Sequence, residues 1–256
     1  MFKISNLLLT SNHTTLSIEF MEASSSTCVG VLGRSGSGKT LLLESIAGKI
    51  KSHSGKIIIK DQLLNEMSVS QSSHWVTSLF SSANQFMTSS IEKEIKYGLS
   101  PHSLNEERLS QVLKLCQLEH VRLLHPMDCS SAVQKRMLMA IACLRDAPLV
   151  LMDHLDAGLD HTSTHILLNV VDFLKNQGKT IIMVSHDMDL IAECCDQVLV
   201  CDSKASFVGS MKSLCDHQSI LDAHRLQLPV VTQMSQALEL PLCTTLQEWN
   251  DLWIKE

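Results

Sequence analysis

A glycine-rich loop between an apolar strand and a helix is the sequence feature that most constrains this chain. The loop follows the buried-type strand Cys28–Leu32 and opens Lys39–Ile50, which carries good helix formers at helical spacing. Its backbone N–H groups can face a phosphate, and the helix N-terminus adds its positive dipole end. We therefore predict a phosphate-binding loop, called the P-loop below. It fits G-x-x-x-x-G-K-[ST] at every position and consists of Gly33, Arg34, Ser35, Gly36, Ser37, Gly38, Lys39 and Thr40.

Three side chains are candidates for binding a nucleoside triphosphate and its metal ion. Lys39 is expected to reach the β- and γ-phosphates, and Thr40 to give its hydroxyl to Mg²⁺. A second metal contact is expected from an acidic residue that ends a neighbouring buried strand, and Asp153 follows the apolar run Val150–Met152. The predicted cofactors are ATP and Mg²⁺, with Thr40 and Asp153 as the metal ligands.

Strands and helices alternate along the chain, which predicts an α/β fold. The runs Leu149–Met152 and Thr180–Val184 are apolar throughout, and the helical run His165–Asn176 lies between them and ends at Gly178. Continuous apolar strands joined by helices imply a parallel sheet buried on both faces. Further strands, the first two of them antiparallel, are predicted at Phe2–Leu9, Leu16–Phe20, Lys56–Lys60, Trp75–Phe80, Gln197–Cys201 and Ser206–Gly209.

Two other parts of the chain are predicted to be helical. About residues 82–147 should form a helical subdomain, with Asn105 as a helix cap and Gln134–Leu144 as an amphipathic run. After residue 210 the pattern is helical again. We therefore expect one domain over residues 1–210 and a helical C-terminal tail over residues 211–256.

Composition and charge exclude several classes of protein. The chain has 256 residues, 45% hydrophobic and 19% charged, which is ordinary for a globular protein. The net charge, 21 − 27 = −6, argues against a nucleic-acid binder that works by bulk basic attraction. Apolar runs such as Ile181–Val184 fall far short of the ~20 residues that span a bilayer, and the N-terminus lacks a signal-peptide pattern. A cytosolic location is predicted, with a peripheral membrane role left open.

Cysteine and histidine spacing predicts no metal site. The chain has 9 Cys without a C-x-x-C spacing, and the pair Cys194–Cys195 has no second cluster at metal-ligand distance along the sequence. Buried, reduced thiols are expected. His161 and His165 share a helix face, and without a third ligand they are interpreted as part of a solvated surface.

Several further segments stand in the order found in the ATP-binding-cassette (ABC) ATPases, and the chain resembles that family from about residue 3 to residue 210. Asp156–Asp160 resembles the D-loop, Thr180–Asp187 resembles the strand leading to the switch histidine, and Ser131–Arg136 occupies the place of the signature motif. The fold that the resemblance implies is a P-loop NTPase core with an antiparallel β edge and a helical subdomain.

The resemblance also implies a dimer that closes head to tail around two ATP molecules. Each ATP would lie between the P-loop of one chain and the signature of the other, which gives nucleotide-contacting roles to Ser131, Gln134 and Asp160. His154 and His186 stand at the catalytic positions. A second ABC ATPase subunit is the expected partner, with a heterodimer favoured and a homodimer as the alternative.

Two tail segments, Leu228–Met234 and Pro241–Glu248, look like the tail of the energy-coupling-factor and cobalt-type subgroup. This resemblance implies the ATP-binding subunit of an importer that couples ATP binding and hydrolysis to solute uptake. The other partner would be a transmembrane coupling subunit, and the chain would lie on the cytoplasmic face of the cell membrane. No nucleic-acid partner is expected.

The chain departs from the family pattern at two catalytic positions. The signature Leu-Ser-Gly-Gly-Gln aligns with Ser130–Gln134, in which Ser131 keeps its hydroxyl and both glycines are lost. The added Cβ atoms, above all at Val133, are expected to crowd the opposite γ-phosphate. The family's general-base Glu is replaced by His154. A carboxylate would orient and polarise the attacking water, and a neutral imidazole is a weaker substitute for it beside a metal and a triphosphate.

Two binding positions also differ from the family. Phe80 or Ser81 stands where a Gln would contact Mg²⁺ and the attacking water, and Gln85 aligns with a second Gln downstream. The adenine-stacking aromatic is replaced within Thr10–Asn12, a loss of stacking worth ~1–3 kcal/mol. The alternatives to an importer ATPase are a catalytically weak nucleotide-binding partner of a consensus ABC ATPase and a soluble ABC protein outside transport. Whether the chain hydrolyses ATP itself stays open.

Overall fold

Two β-sheets and a set of helices make up the fold. The computed structural model describes residues 1–11, 14–52, 54–80, 86–97, 99 and 105–254. In this part of the chain the strands are β1 (Phe2–Ser11), β2 (Thr14–Ala23), β3 (Cys28–Leu32), β4 (Ser54–Ile59), β5 (Gln62–Leu63), β6 (Val76–Phe80), β7 (Leu149–Asp153), β8 (Thr180–Val184), β9 (Gln197–Cys201) and β10 (Ala205–Gly209). The α-helices there are α1 (Lys39–Ile46), α2 (Val69–Ser72), α3 (Ile91–Lys96), α4 (Glu106–Leu115), α5 (Ser131–Leu144), α6 (His161–Asn176), α7 (Met188–Cys194), α8 (Met211–Cys215), α9 (Gln218–His224), α10 (Val230–Ala237) and α11 (Leu246–Ile254).

The larger sheet is the parallel sheet that the sequence predicts. Its order is β10-β9-β3-β8-β7-β6, and every neighbouring pair from β9 to β6 is parallel. All residues of β3, β7 and β8 are buried, as expected for strands covered on both faces. The strands β3 and β7 run in the same direction. The P-loop, which follows β3, and Asp153, which ends β7, therefore lie at the same carboxyl edge of the sheet.

The smaller sheet is antiparallel, in the order β2-β1-β4-β5. Its first two strands pair from Phe2 opposite Ala23 to Ser11 opposite Thr14, so both are longer than predicted. The extension follows from cross-strand hydrogen bonding, which continues past the apolar stretches. One end of this pair lies beside the P-loop, where the Thr14 hydroxyl donates to the Gly36 carbonyl over 3.3 Å.

Two helices have ends that differ from the predicted ones. Helix α1 stops at Ile46 rather than at residue 50, because Gly48 takes a φ of 75° that breaks the helix. Helix α6 starts at His161 rather than at residue 165, because the Asp160 carboxylate accepts a backbone hydrogen bond in the first turn and caps it. The end of α6 is as predicted, since Gly178 has a φ of 77°.

Two hydrophobic cores lie on opposite faces of the parallel sheet. One packs α1 and the antiparallel sheet against side chains such as Leu151. The other packs α4, α5, α6 and α7 against the opposite side of the same strands, through residues such as Val150. Helices α3, α4 and α5 lie within the predicted helical subdomain of about residues 82–147, and the Asn105 side chain caps α4 as expected.

The last helices fold back onto α7. The Val230 amide donates to Asp189 Oδ1 over 2.7 Å, and the Leu246 amide donates to Glu193 Oε1 over 2.5 Å. After residue 210 the described secondary structure is helical, in α8 to α11, as predicted. The division of the chain into two domains at this point stays a prediction. Among the described residues, no helix is both long enough and apolar enough to cross a bilayer.

Candidate functional site

The P-loop takes a backbone conformation that its glycines make accessible. Gly33, Gly36 and Gly38 have φ values of 141°, 81° and 93°, in a region that other residues rarely adopt. A Cβ atom at Gly33 would lie 2.2 Å from the carbonyl oxygen of Cys201, whereas one at Gly36 would meet nothing within 4 Å. Gly38 precedes α1 and offers no side-chain cap, which leaves the first amides of the helix without a side-chain acceptor from that position.

The first prediction compares Gly33→Ala with Gly36→Ala. Both substitutions introduce a Cβ at positive φ, but only the first drives it into backbone. We expect Gly33→Ala to destabilise the protein by about 3 kcal/mol or more, and Gly36→Ala by about 1–2 kcal/mol. Chemical denaturation of the two variants measures the difference. Equal losses of stability would show that the loop does not close on Cys201 as described.

Lys39 lies across the P-loop rather than extending into solvent. Its Nζ donates to the Gly33 and Arg34 carbonyls, each over 2.8 Å, and its side chain is buried. Burial lowers the pKa of the Lys39 ammonium, while the Cys201 thiol and the Asp153 carboxylate act in the opposite direction. The Lys39 ammonium therefore lies within the curve of the loop. A phosphate bound there would contact both the backbone amides and this positive charge.

Thr40 and Asp153 meet at the edge of the sheet, as the sequence predicts. The Thr40 hydroxyl donates to Asp153 Oδ2 over 3.1 Å. The other carboxylate oxygen of Asp153 is buried, and within the described chain it has no hydrogen-bond partner. A hydroxyl and a carboxylate are the hard oxygen ligands that Mg²⁺ prefers. The pair fits a divalent cation, and that cation would satisfy the orphaned oxygen.

Two histidine rings stack at the same edge. The centroids of His154 and His186 are 4.7 Å apart with an interplanar angle of 23°. His154 has a φ of 50°, and its amide donates to the Val184 carbonyl over 3.1 Å, which fixes the ring beside the strand ends. Its Nε2 lies 3.9 Å from Asp153 Oδ1. Burial, and then the charge of the Lys39 ammonium, lower the pKa of His186, so its ring is neutral near pH 7 before a phosphate is bound.

A cavity of about 340 Å³ lies over the P-loop, and both histidines line it. Lys39 and Thr40 line it as well, together with Ser11 at the position of the missing aromatic. Sequence reasoning missed four of its lining residues, Thr14, Leu41, Glu44 and Ile50. No local pattern marks them, because they reach the cavity only through strand pairing and the turns of α1.

A larger cavity, of about 510 Å³, adjoins the P-loop on the side of the C-terminal tail. Gly33, Ser35 and His186 line one side of it, and Arg225 and Leu228 line the other. Neither Lys39 nor the Thr40–Asp153 pair reaches this space, so the phosphate chemistry belongs to the smaller cavity.

The residues of the signature-like segment lie away from the P-loop cavity. Ser131 opens α5, and Gln134 turns back to donate to the Pro126 and Cys129 carbonyls over 3.0 and 3.3 Å. Neither Ser131 nor Gln134 lines the cavity. In a single chain they do not meet the P-loop, and their nucleotide contacts stay a prediction for an assembled pair.

A series of polar contacts connects α5 with the segment that follows His186. Lys135 Nζ donates to the Ala157 carbonyl. The adjacent Asp156 accepts from the Ser185 hydroxyl over 2.7 Å, and the same hydroxyl oxygen accepts from the Asp187 amide over 2.9 Å. Asp160, which the resemblance gives a nucleotide-contacting role, caps α6 in the structure, and that second role stays a prediction.

The position beside Asp153 in the sheet is taken by an aromatic residue. Phe80 lies opposite Asp153 in the pairing of β6 with β7, and Lys49 Nζ is 3.9 Å from the centre of its ring. The alternative position, Ser81, and the downstream Gln85 lie outside the described residues. The replacement of the family's Gln stays a prediction.

The cysteines are free thiols and most are buried, as predicted. The fold brings Cys28 to the Cys194–Cys195 pair from a distant part of the sequence, a neighbour that spacing along the chain does not indicate. The His161 and His165 rings do share a helix face, with their Nε2 atoms 3.1 Å apart. Among the residues described, no third ligand joins them.

Comparisons with known proteins agree with this geometry. A family model described as "ABC transporter" matches residues 19–156. The energy-coupling factor transporter ATP-binding protein EcfA3 of Oenococcus oeni is 31% identical, over 82% of this chain and 76% of its own length.

Two solved structures share the fold. CbiO1 from Clostridium perfringens, described as part of the ABC transporter complex CbiONQ, has a TM-score of 0.74 and 23% identity over 93% of this chain and 98% of its own. The ATP-binding cassette MJ0796, a dimer bound to ADP and phosphate, has a TM-score of 0.70 and 18% identity over 82% of this chain and 98% of its own. The family match over more than half of the chain, with the identity to EcfA3, shows that this chain belongs to the ATP-binding proteins of ABC transporters.

Proposed function

We propose that this chain is the ATP-binding subunit of an importer of the energy-coupling-factor and cobalt type, where it couples ATP binding and hydrolysis to solute uptake. The observation that carries the nucleotide part is the Thr40–Asp153 contact beside the P-loop, with Asp153 Oδ1 left for a cation. The importer type is supported by the identity with EcfA3 and by the tail segments Leu228–Met234 and Pro241–Glu248. Members of this family generally hydrolyse ATP.

In this proposal the P-loop residues divide the work of holding the triphosphate. The loop amides and Lys39 Nζ bind the β- and γ-phosphate oxygens, for which Lys39 exchanges its contacts with the Gly33 and Arg34 carbonyls. Thr40 and Asp153 hold Mg²⁺, which when bound neutralises charge on the phosphate oxygens. His186 faces the same cavity and meets the γ-phosphate, whose negative charge favours the protonated ring.

Hydrolysis is the step at which this chain is weak. His154 stands where a Glu would orient and polarise the attacking water, and an imidazole lacks the negative charge with which a carboxylate does so. The signature-like segment lacks both glycines, so its backbone cannot approach an opposing γ-phosphate closely. These two changes favour a second candidate function, a nucleotide-binding subunit that relies on a consensus ABC partner for turnover.

A heterodimer follows from where the two changes would act in a head-to-tail pair. His154 belongs to the site built on this chain's own Lys39, which it joins in one cavity. Ser131 and Gln134 do not line that cavity and would serve the partner's site. With a consensus partner, each composite site therefore carries one defect rather than two. The first site would hold ATP as a clamp, and the second would turn over.

The second prediction is that the chain alone hydrolyses ATP slowly, because self-pairing would place both defects in each site. We expect turnover well below the ~1–10³ s⁻¹ of ordinary enzymes. His154→Glu should raise it, and His154→Gln serves as a control of similar size without a carboxylate. Ordinary turnover by a preparation shown to be free of other ATPases would contradict the prediction, as would an equal effect of the two substitutions.

The function is tested by identifying the proteins that co-purify with the full chain from detergent-solubilised membranes. We expect a transmembrane coupling subunit and a second ABC ATP-binding subunit, with this chain peripheral on the cytoplasmic face. Recovery with ribosomes or DNA-repair proteins instead would favour the soluble alternative. Recovery only with a second copy of itself and the membrane subunit would overturn the heterodimer while leaving the importer assignment in place.

A further inference from the structure

Three cysteine side chains converge at the edge of the parallel sheet opposite the P-loop. The sulfur of Cys195 lies 3.4 Å from that of Cys28 and 3.7 Å from that of Cys194, and all three sulfurs lie within 4.8 Å of one another. Cys28 opens β3, whereas Cys194 ends α7 and Cys195 follows it. We call these residues the thiol cluster. Among the described residues it is the only such group of three.

Strand pairing brings the cluster together. The parallel register of β3 with β9 sets Val29 opposite Gln197, which places Cys28 beside the end of α7. The Cys28 amide donates to Asp196 Oδ2 over 2.7 Å, and the Lys175 ammonium donates to Asp196 Oδ1 over 2.8 Å. Apart from the sulfur–sulfur contacts within the cluster, the polar contacts that hold Cys28 next to Cys195 are made by backbone, carboxylate and ammonium groups.

We propose that Cys28, Cys194 and Cys195 form a site for one thiophilic divalent metal ion of the Zn²⁺ type. Zinc–sulfur bonds of about 2.3 Å at tetrahedral angles place neighbouring sulfurs about 3.8 Å apart. The two short sulfur–sulfur distances, 3.4 and 3.7 Å, are close to this value. Thiolate ligands select soft or borderline cations over Mg²⁺ and Ca²⁺, so this site and the Thr40–Asp153 pair would not compete for one ion.

Charge favours a divalent over a monovalent ion. On binding, the three thiols release three protons to solvent, and three thiolates with a divalent cation carry one net negative charge. The neighbouring Lys175 and Asp196 form an ion pair, which adds no net charge to the surroundings of the site. A monovalent ion would leave two negative charges in a largely buried place, which costs more.

The three residues of the thiol cluster are not equally buried. Cys28 and Cys194 are buried, and Cys195 is only partly so. The ion would enter at Cys195, and a water molecule on that side would complete four-coordination. Because the ion would tie β3 to α7 at the edge away from the P-loop, we expect it to stabilise the fold without changing nucleotide affinity.

The experiment titrates the full chain, kept reduced and first stripped of metal with a chelator. Cd²⁺ is the spectroscopic probe, read by thiolate-to-metal charge-transfer absorption, and Zn²⁺ is the competitor. We expect saturation at one ion per chain and displacement by Zn²⁺. Cys194→Ser and Cys195→Ser should weaken binding by at least about tenfold. Cys116→Ser is the matched control, since it removes a buried thiol elsewhere and should leave binding unchanged.

A second measurement tests the site without any substitution, in case a serine variant does not fold. In the unaltered chain, bound Zn²⁺ should protect Cys195 from alkylation, and mass spectrometry reads the modified residue. Equal alkylation of Cys195 with and without Zn²⁺ would overturn the proposal. So would an absence of saturable Cd²⁺ absorption, or an equal loss in the Cys116→Ser and Cys194→Ser variants.

Discussion

Lys39→Ala is expected to weaken ATP binding by about 100-fold. Lys39 Nζ is held by two carbonyls of its own loop, at 2.8 Å each, and is buried where the loop would meet a triphosphate. Exchanging these carbonyls for phosphate oxygens gives charge-assisted hydrogen bonds, each worth about 1.5–3 kcal/mol. Losing two of them at the lower figure corresponds to about 3 kcal/mol. Calorimetric titration of the full chain with Mg-ATP measures the effect.

A lysine elsewhere provides the control for this substitution. Lys114 lies exposed on α4, and Lys114→Ala removes the same charge from the chain without touching the P-loop. Its ATP affinity should equal that of the unaltered protein. If Lys39→Ala bound ATP as tightly as Lys114→Ala, the assignment of the phosphate site would be wrong. A circular-dichroism melt of both variants excludes loss of folding as the cause.

In a reconstituted pair with a consensus ABC subunit, changing the partner's catalytic Glu to Gln is expected to remove most ATP turnover. A general base contributes about 10²–10⁴-fold, and in the proposed pair the partner holds the only carboxylate at that position. His154→Ala in this chain should change turnover by less than about twofold, because its site acts as a clamp. The assay is steady-state ATP hydrolysis by the two pairs at equal complex concentration.

The reverse pattern has a definite meaning. If His154→Ala abolished turnover and the partner's Glu→Gln left it intact, His154 would be the working base and the clamp assignment would be wrong. A trapping experiment tests directly whether this chain's site retains ATP while the partner's site turns over. Nucleotide retained after gel filtration should be ATP, bound once per pair, when the partner's site cycles and this chain's site does not.

Much of the nucleotide site could be predicted because its information is local. Eight consecutive residues form the P-loop, and the strand before it and the helix after it agree with the pattern. Asp153 is distant in sequence from Thr40, yet parallel strands end at one edge. That rule predicts that the two side chains lie close together, and in the structure they are 3.1 Å apart. The stacking of His154 on His186 depends on a left-handed backbone at residue 154, which no sequence pattern indicates.

What could not be predicted depends on register and on tertiary contact. The thiol cluster forms because β3 pairs with β9 at one particular register, and a shift by one residue would separate Cys28 from Cys195. The P-loop cavity likewise includes Thr14 and Ile50 only after the small sheet has paired and α1 has stopped at Ile46. The spacing of these residues along the sequence predicts neither the thiol cluster nor the lining of the cavity.

The hydrogen bond from Lys135 Nζ to the Ala157 carbonyl bears on how the two nucleotide sites of the proposed pair would influence each other. In the proposed pair, α5 presents its first turn to the partner's nucleotide, while residues 156–158 continue through Ser185 toward the switch histidine. A displacement of α5 by one nucleotide is therefore passed to the pocket of the other. Such a linkage is a coupling free energy and acts equally in both directions. Binding of ATP in one site of the pair would then change the affinity of the other site for ATP.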